Sequence, residues 1–219
     1  MLTYTEENYL KAIFKIAEKE KKSVSTNAIA KQLSTSPASV TDMIKKLSDK
    51  SFIYYEKYQG VTLTPSGNKI ATNLIRKHRL WEVFLCNKLR FAWHQVHEIA
   101  EELEHIASEE LISRLDAFLD YPKFDPHGDP IPNADGRFTL RSQIFLSDMS
   151  PTQTGIVLGV KESETEFLKH LTKINIKLGS EINILSKTDY DKSMRILIDK
   201  KHEELVSDAI SHSILMKRK

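Results

Sequence analysis

The sequence predicts a mainly α protein with a small β domain at its C-terminal end, and three observations carry that reading. Apolar residues recur at helical spacing through most of residues 5–119, and short β-branched runs broken by Gly replace them after about residue 139. Between the two lies a stretch rich in Pro, Gly and Asp, residues 120–137. A chain of 219 residues holds two or three small domains, each with its own core. We divide it at 1–72, 73–138 and 139–219.

Thr5-Glu-Glu-Asn-Tyr-Leu-Lys-Ala-Ile opens a helix, with Thr5 as the expected cap, acids in the first turn, and Tyr9, Leu10, Ile13 and Phe14 on one face. Ser25 starts a short helix carrying Ile29 and Leu33. Ser34-Thr-Ser-Pro-Ala-Ser is a turn, and Pro37 suits the first turn of a helix reaching about Lys50 through Val40, Ile44 and Leu47. Short helix, turn and second helix make a helix-turn-helix. Ile53–Tyr55 and Val61–Thr64 read as two strands joined at Gln59-Gly60, a wing. Two long helices are expected next, from Asn68 to about Leu89 and from Val96 to about Leu119. In the last third, Gly155–Val160, Ile174–Ile176, Ile182–Leu185 and Met194–Ile198 read as strands and Glu162–Leu171 as a helix, together a barrel-like β domain.

No apolar run approaches the roughly 20 residues that span a bilayer, and the polar, acidic N-terminus is unlike a signal peptide. The single Cys86 cannot form an internal disulfide. A cytoplasmic protein with no membrane partner is expected. The net charge of +2 hides an asymmetry: residues 1–80 carry +7, residues 81–150 carry −7 and residues 151–219 carry +2. A basic first third suits a polyanion and an acidic middle suits cations.

The helix starting at Pro37 offers Ser36, Pro37, Ala38, Ser39, Thr41, Asp42, Lys45 and Lys46 to duplex DNA, and the wing offers Lys57, Tyr58 and Gln59. Small residues at its N-terminal end let a recognition helix enter the major groove, while lysines hold phosphates. Either lysine alone reads as solvated surface; it is the combination with the helix-turn-helix, the hairpin and the local charge that points to DNA. With no Arg on this helix, direct reading of guanine is weak and DNA shape carries more of the specificity.

The long helices carry His78 and Glu82, then His97, Glu101, Glu104 and His105, spaced by three and four so that they form stripes. Glu-Glu-His on a helix is most often a solvated face. Two His and two Glu buried beside another His/Glu pair would instead need a cation. Nitrogen and carboxylate donors without thiolate suit Mn2+ or Fe2+.

Five strings taken in order, Thr5-Glu-Glu-Asn-Tyr-Leu-Lys-Ala-Ile, Leu63-Thr-Pro-Ser-Gly, Arg76-Lys-His-Arg-Leu-Trp-Glu, Val96-His-Glu-Ile-Ala-Glu-Glu-Leu-Glu-His and Asp125-Pro-His-Gly-Asp-Pro-Ile-Pro, resemble the diphtheria toxin repressor (DtxR)/MntR family of metal-dependent transcriptional regulators over residues 1 to about 135. The tail resembles that family's third domain, a src-homology-3-like barrel of the FeoA type. The resemblance implies an N-terminal winged helix-turn-helix, a helical domain for metal binding and dimerisation, and a homodimer that represses metal-uptake genes at double-stranded operator DNA when the ion is plentiful. It implies a primary metal site of Asn8, Glu101, Glu104 and His105. Iron-type members carry Met and Cys at the first two of these positions and manganese-type members Asp and Glu, so Glu101 sides with manganese while Asn8 matches neither. Lys11 stands where two-domain manganese members have a second-site Glu, which argues against a dinuclear cluster. An ancillary site of His78, Glu82, His97 and Glu166 is implied, or, as in some manganese-type relatives, one of Glu82 with Asp125 and His127. Mn2+ is the favoured ion and Fe2+ the other, with Zn2+, Co2+, Ni2+ or Cd2+ as surrogates. No catalytic residue and no small organic substrate is expected. A winged-helix regulator answering an organic ligand and a metal-dependent hydrolase are the two rival readings; the hydrolase lacks a nucleophile motif or a phosphate-cradling loop.

Overall fold

The computed structural model describes residues 2–20, 23–56, 59–161 and 164–219. It comprises two compact units, one of Met1–His78, Leu103–Ser108 and Pro132–Phe138, the other of Arg79–Glu102, Glu109–Ile131 and Thr139–Lys219.

In the first unit, helix α1 spans Tyr4–Glu20, α2 Thr26–Gln32 and α3 Pro37–Asp49, followed by the antiparallel hairpin β1 (Ile53–Glu56) and β2 (Gly60–Leu63). Ser25 caps α2 by accepting from the Ala28 N–H. Ser36 caps α3 by accepting from the Ser39 N–H, with Pro37 in the first turn. Leu10, Ile13, Ile29, Val40, Ile44, Leu47, Ile53 and Val61 form one buried cluster, so the apolar stripe of each helix and the inner face of the hairpin share a core. Val24 pairs with Val61 through two backbone hydrogen bonds of 2.9 Å, adding a third short edge to the hairpin. Gly60 has a φ of +95°, and a Cβ there would lie 2.8 Å from the Val24 carbonyl oxygen, so the wing turn needs glycine. These elements form a winged helix-turn-helix.

The cap of α1 is Thr3, not Thr5 as the sequence suggested. Thr3 Oγ1 accepts from the Glu6 N–H at 3.3 Å and Glu6 Oε2 accepts from the Thr3 N–H at 2.9 Å. This reciprocal pair closes the helix two residues earlier. Helix α4, Pro65–Asn87, also starts earlier than expected. Thr64 Oγ1 accepts from the Gly67 N–H, and Gly67 lets α4 approach the Phe52 carbonyl, which a Cβ would meet at 2.0 Å.

The helix expected over Val96–Leu119 is two helices, α5 (Val96–Leu103) and α6 (Glu109–Phe118). No Pro or Gly stops α5. The chain leaves the helix where Glu104 is drawn into contacts with Lys11 and His78, and where Lys77 Nζ donates to the Ile106 carbonyl at 3.0 Å. Glu104 and His105 are therefore turn residues and do not continue a stripe with His97 and Glu101.

In the second unit the C-terminal region folds as a six-stranded antiparallel sheet, in order β3-β8-β4-β5-β6-β7. The strands are β3 (Ile144–Phe145), β4 (Thr154–Val160), β5 (Glu181–Lys187), β6 (Met194–Ile198), β7 (His202–Val206) and β8 (Ile214–Arg218), with α7 (Thr165–Lys173) between β4 and β5 and α8 (Asp208–Ser211) between β7 and β8. Leu146, Val157, Leu168, Leu171, Ile182, Ile196, Ile214 and Met216 fill the core. Ile174–Ile176, expected as a strand, instead ends α7. Ile174 is its C-cap and Asn175 takes a φ of +61°, which turns the fully buried Ile176 into the core. Among the described residues no helix is long and apolar enough to cross a membrane.

Glu6 ties α1 to α3. Its buried carboxylate receives Lys50 Nζ at 2.7 Å and Lys46 Nζ at 3.0 Å. The Lys50 hydrogen bond, assisted by Thr3 and Lys46 and opposed by burial, lowers its pKa to about 2 from 4.5. A carboxyl whose folded pKa is depressed stabilises above its unfolded pKa, and that contribution is lost as pH falls from about 4.5 to about 2. Glu6→Gln is expected to cost about 1–2 kcal/mol at pH 7, since both lysines are partly solvated. In urea unfolding the gap between wild type and variant should close as pH approaches 2; a constant gap would reject the pairing.

Candidate metal centres and nucleic-acid interface

Helix α3 and its cap present Ser36, Pro37, Ala38, Ser39, Asp42, Lys45 and Lys46 as exposed residues, with Thr41 half-buried; the serines lie at its N-terminal end and Lys46 in its last turn. Ser36 and Ser39 hydroxyls bond each other at 2.9 Å, and Thr41 Oγ1 donates to the Pro37 carbonyl, which stiffens this first turn. Lys45 lies 3.9 Å from Asp42. Lys46, expected as a free phosphate contact, also serves Glu6. Gln59 is exposed at the wing turn. Lys57 and Tyr58 lie outside the described residues. Tyr54 and Tyr55, which lie outside the expected DNA-facing set, are exposed on β1.

The first cluster is built by one face of α1 against the turn after α5, all within the first unit. Lys11 donates to both oxygens of Glu104, at 2.9 and 2.6 Å, and the two side chains are 6% and 0% exposed. His78 Nδ1 is 2.7 Å from Glu104 Oε2. His105 Nδ1 is 2.6 Å from Glu7 Oε2, and its ring stacks on Tyr4 with centroids 4.5 Å apart. A carboxylate only accepts, so neutral His105 donates through Nδ1 and carries its lone pair on Nε2, which lies 3.9 Å from Glu104 Oε1. Tyr4, Glu7, Asn8 and Lys11 follow steps of three and four and share a helix face. Asn8 Oδ1 is buried with no hydrogen-bond partner. A buried amide oxygen in that condition costs about 1–3 kcal/mol unless something accepts its lone pairs. The donor set here, an amide oxygen, a buried carboxylate and an imidazole nitrogen, fits a divalent cation. Glu7, absent from the expected ligand set, is the partner that orients His105, and its spacing of four from Lys11 puts it on the same helix face.

The second cluster lies in the second unit, where Glu82, Asp125 and His127 bring ligand atoms within 4.8 Å of one another, all buried. The loop that reads as a spacer in sequence is tightly turned. Asp125 Oδ1 accepts from the His127 N–H at 2.8 Å and the Asp129 N–H at 3.0 Å. His127 Nε2 donates to the Trp93 carbonyl at 2.8 Å, which leaves Nδ1 facing Glu82 Oε1 at 3.7 Å. A backbone carbonyl fixing one ring nitrogen so that the other points at carboxylates is the second-sphere arrangement of metal-bound histidines. Arg79 partly offsets the negative charge, 3.6 Å from Asp125 and 3.4 Å from Asp129. Burial, with Glu82 and Asp129 nearby, raises the Asp125 carboxyl to about 7. Burial alone would lower His127, but Glu82 and Asp125 raise it to about 9. His97 stands half-exposed beside this cluster, Nδ1 3.5 Å from Glu82 and Nε2 3.7 Å from Glu101. A cleft of about 580 Å3, lined in part by His94, His97, His127 and Glu164, opens next to it. Glu166 points to solvent and pairs with Lys169 at 2.8 Å.

Three comparisons bear on this arrangement. Residues 1–61 match the family described as iron dependent repressor, N-terminal DNA binding domain. Residues 64–133 match iron dependent repressor, metal binding and dimerisation domain, and residues 144–218 match FeoA domain. The chain is 36% identical to the HTH-type transcriptional regulator MntR of Geobacillus kaustophilus, over 55% of this chain and 84% of that one. It is 28% identical to the diphtheria toxin repressor of Corynebacterium diphtheriae over 97% of this chain and 96% of that protein. A solved manganese-dependent transcriptional repressor in complex with manganese superposes with a TM-score of 0.82 at 31% identity, covering 98% of this chain and all of the other.

The second cluster makes a pH prediction. A carboxyl whose folded pKa is raised loses stability as pH climbs from 3.8 to about 7, and a histidine raised to about 9 loses its contribution between 6.5 and 9. Both act in one direction. In EDTA, thermal unfolding followed by Trp81 and Trp93 fluorescence should show Tm falling between pH 5 and 9. Asp125→Asn should recover on the order of 2 kcal/mol at pH 8. A flat profile would contradict the cluster's electrostatics.

Proposed function

The chain belongs to the iron-dependent repressor (DtxR/MntR) family, and from that premise we propose that it is a metal-dependent transcriptional repressor that binds operator DNA as a homodimer, with Mn2+ favoured and Fe2+ the other candidate. The observation that carries this reading is the buried, unpartnered Asn8 Oδ1 on the α1 face that meets Glu104 and His105. Asn8, Glu104 and His105 would hold the primary ion, and the family resemblance adds Glu101. A hard-to-borderline divalent ion suits these oxygen and nitrogen donors. The amide of Asn8 adds no charge and Lys11 adds a positive one, so the site takes a single ion. When bound, the ion supplies a further attachment of α1 to the turn after α5.

The protein's own residues do the rest. Glu6 holds α3 against α1 through Lys46 and Lys50, so the seating of α1 bears directly on the recognition helix. The α3 turn and Gln59 would face the duplex, with Lys45 against phosphate and the small residues Ala38 and Ser39 in the groove. Two recognition helices on one dimer must sit about 34 Å apart to read successive major grooves. Conformers with another spacing bind weakly, and the ion acts through its differential affinity for the competent one.

Glu82, Asp125 and His127, with His97 alongside, support the loop version of the ancillary site over one that uses Glu166. For the dimer, exposed Leu89, Leu111, Phe118 and Tyr121 lie on or beside α4 and α6, where Phe84 contacts both Trp81 and Phe118. That apolar surface suits a second copy of the chain. The named relatives are transcriptional regulators rather than enzymes, which sets the hydrolase reading aside. A regulator of this kind works in the cytoplasm.

Operator titrations by fluorescence anisotropy, with and without Mn2+, test the reading. Asn8→Leu and His105→Ala are each expected to remove most of the Mn2+ stimulation, at least about tenfold, while light scattering still reports a dimer. Undiminished stimulation in both variants would reject this ligand set.

A further inference from the structure

The α1 face at the first cluster is already fastened without any added cation. Lys11 and Glu104 form a two-point ion pair that is almost wholly buried, and His105 is held by Glu7 and stacked on Tyr4. The contacts come from steps 4, 7 and 11 of one helix and converge on two consecutive residues, 104 and 105. On the same stripe Asn8 Oδ1 is buried without a hydrogen-bond partner.

We propose that Lys11 is a resident cation of the metal site: its ammonium seats α1 on Glu104 in the metal-free protein and opposes the arriving ion for the same carboxylate. This rests on the reading of Glu104 as a metal ligand. Lys11 reaches both Glu104 oxygens and His78 one, so Lys11 forms the ion pair that joins α1 to Glu104 in the absence of metal, and removing it leaves a buried carboxylate short of positive charge. Two cations sharing one carboxylate repel each other across a few ångströms of poorly screened interior. Lys11 therefore does two opposed things. It raises the fraction of metal-free protein whose α1, and with it the Glu6-bound recognition helix, is correctly seated, and it weakens divalent-ion binding. Both narrow the ratio by which metal controls DNA affinity. Lys11 is a positioning residue, acting through Glu104.

Hydrogen exchange by mass spectrometry on the full-length protein, in EDTA and in Mn2+, tests this alongside calorimetric Mn2+ titrations. In EDTA, amides of residues 4–11 should exchange at least about tenfold faster in Lys11→Met than in wild type, and Mn2+ should restore their protection. The same variant should bind Mn2+ about tenfold more tightly, a result that a merely structural lysine would not give. If Lys11→Met proves too unstable to study, Lys11→Met/Glu104→Gln removes both charges and should show the same fast exchange. Equal exchange of residues 4–11 in wild type and both variants, or unchanged Mn2+ affinity in Lys11→Met, overturns the proposal. Should wild type itself take up no Mn2+, the metal-site reading fails instead, and the calorimetry alone reveals that.

Discussion

The burial of the Glu104 carboxylate governs what surrounds it. A carboxylate with no exposure needs donors or cations at each oxygen, and the chain supplies Lys11 to both and His78 to one. Meeting that need pulls the backbone out of α5 at residue 104. His105 is thereby set in a turn, where its Nδ1 reaches Glu7 and its Nε2 looks back toward Glu104. It also explains a charged Lys11 on a helix whose next residues inward, Leu10 and Ile13, are fully buried. A long lysine stem lets a nearly buried residue deliver its charge to one point.

Helix α1 thus works on two sides at once. Consecutive residues on a helix diverge by about 100°, so Glu6 and Glu7 point to different neighbours. Glu6 accepts from two lysines of the recognition helix, while Glu7, Asn8 and Lys11 face the turn at 104–105. Leu10 and Ile13 join the core shared with α2, α3 and the hairpin. Close-packed interiors do not absorb a displaced helix by gradual deformation. A shift of α1 relative to residues 104–105 must therefore be carried into α3, or else break the Glu6 pairs.

Much of this was legible in the sequence where the signal is local. Ser25 and Ser36-Pro37 announced the starts of α2 and α3, and Gln59-Gly60 announced the wing turn, whereas the His/Glu spacing predicted one helical stripe that the turn at 104–105 breaks. What stayed hidden depends on partners distant in sequence. The break after Leu103 has no Pro or Gly and comes from Lys11, His78 and Lys77. Lys46 reads as a surface cation until Glu6, forty residues earlier, closes on it. Thr3 and Thr5 are both acceptable caps, and only the Thr3–Glu6 exchange decides between them. Strand β7, His-Glu-Glu-Leu-Val, is an edge strand with few inward residues, so its polar composition conceals it.

The two clusters handle the same physical problem in opposite ways. Around Glu104 the chain provides a full positive charge of its own, and the carboxylate is neutralised in place. Around Glu82 it provides an arginine displaced toward Asp129 and a histidine that must keep its proton to help. Two buried carboxylates with one titratable partner leave Asp125 pushed up to about 7, so near neutral pH this cluster is short of positive charge. If this loop holds a divalent ion as proposed, the ion would take the place of the His127 proton, and the hydrogen bond from Nε2–H to Trp93 keeps Nδ1 turned toward Glu82. On the proposed reading of both clusters as metal sites, the first opposes an incoming cation with a lysine already in place, and the second sets beside its two carboxylates a histidine and an arginine shared with Asp129. If both bind, the second should fill at the lower ion concentration, and the first, the one coupled to the recognition helix, should set the threshold at which the regulator answers its metal.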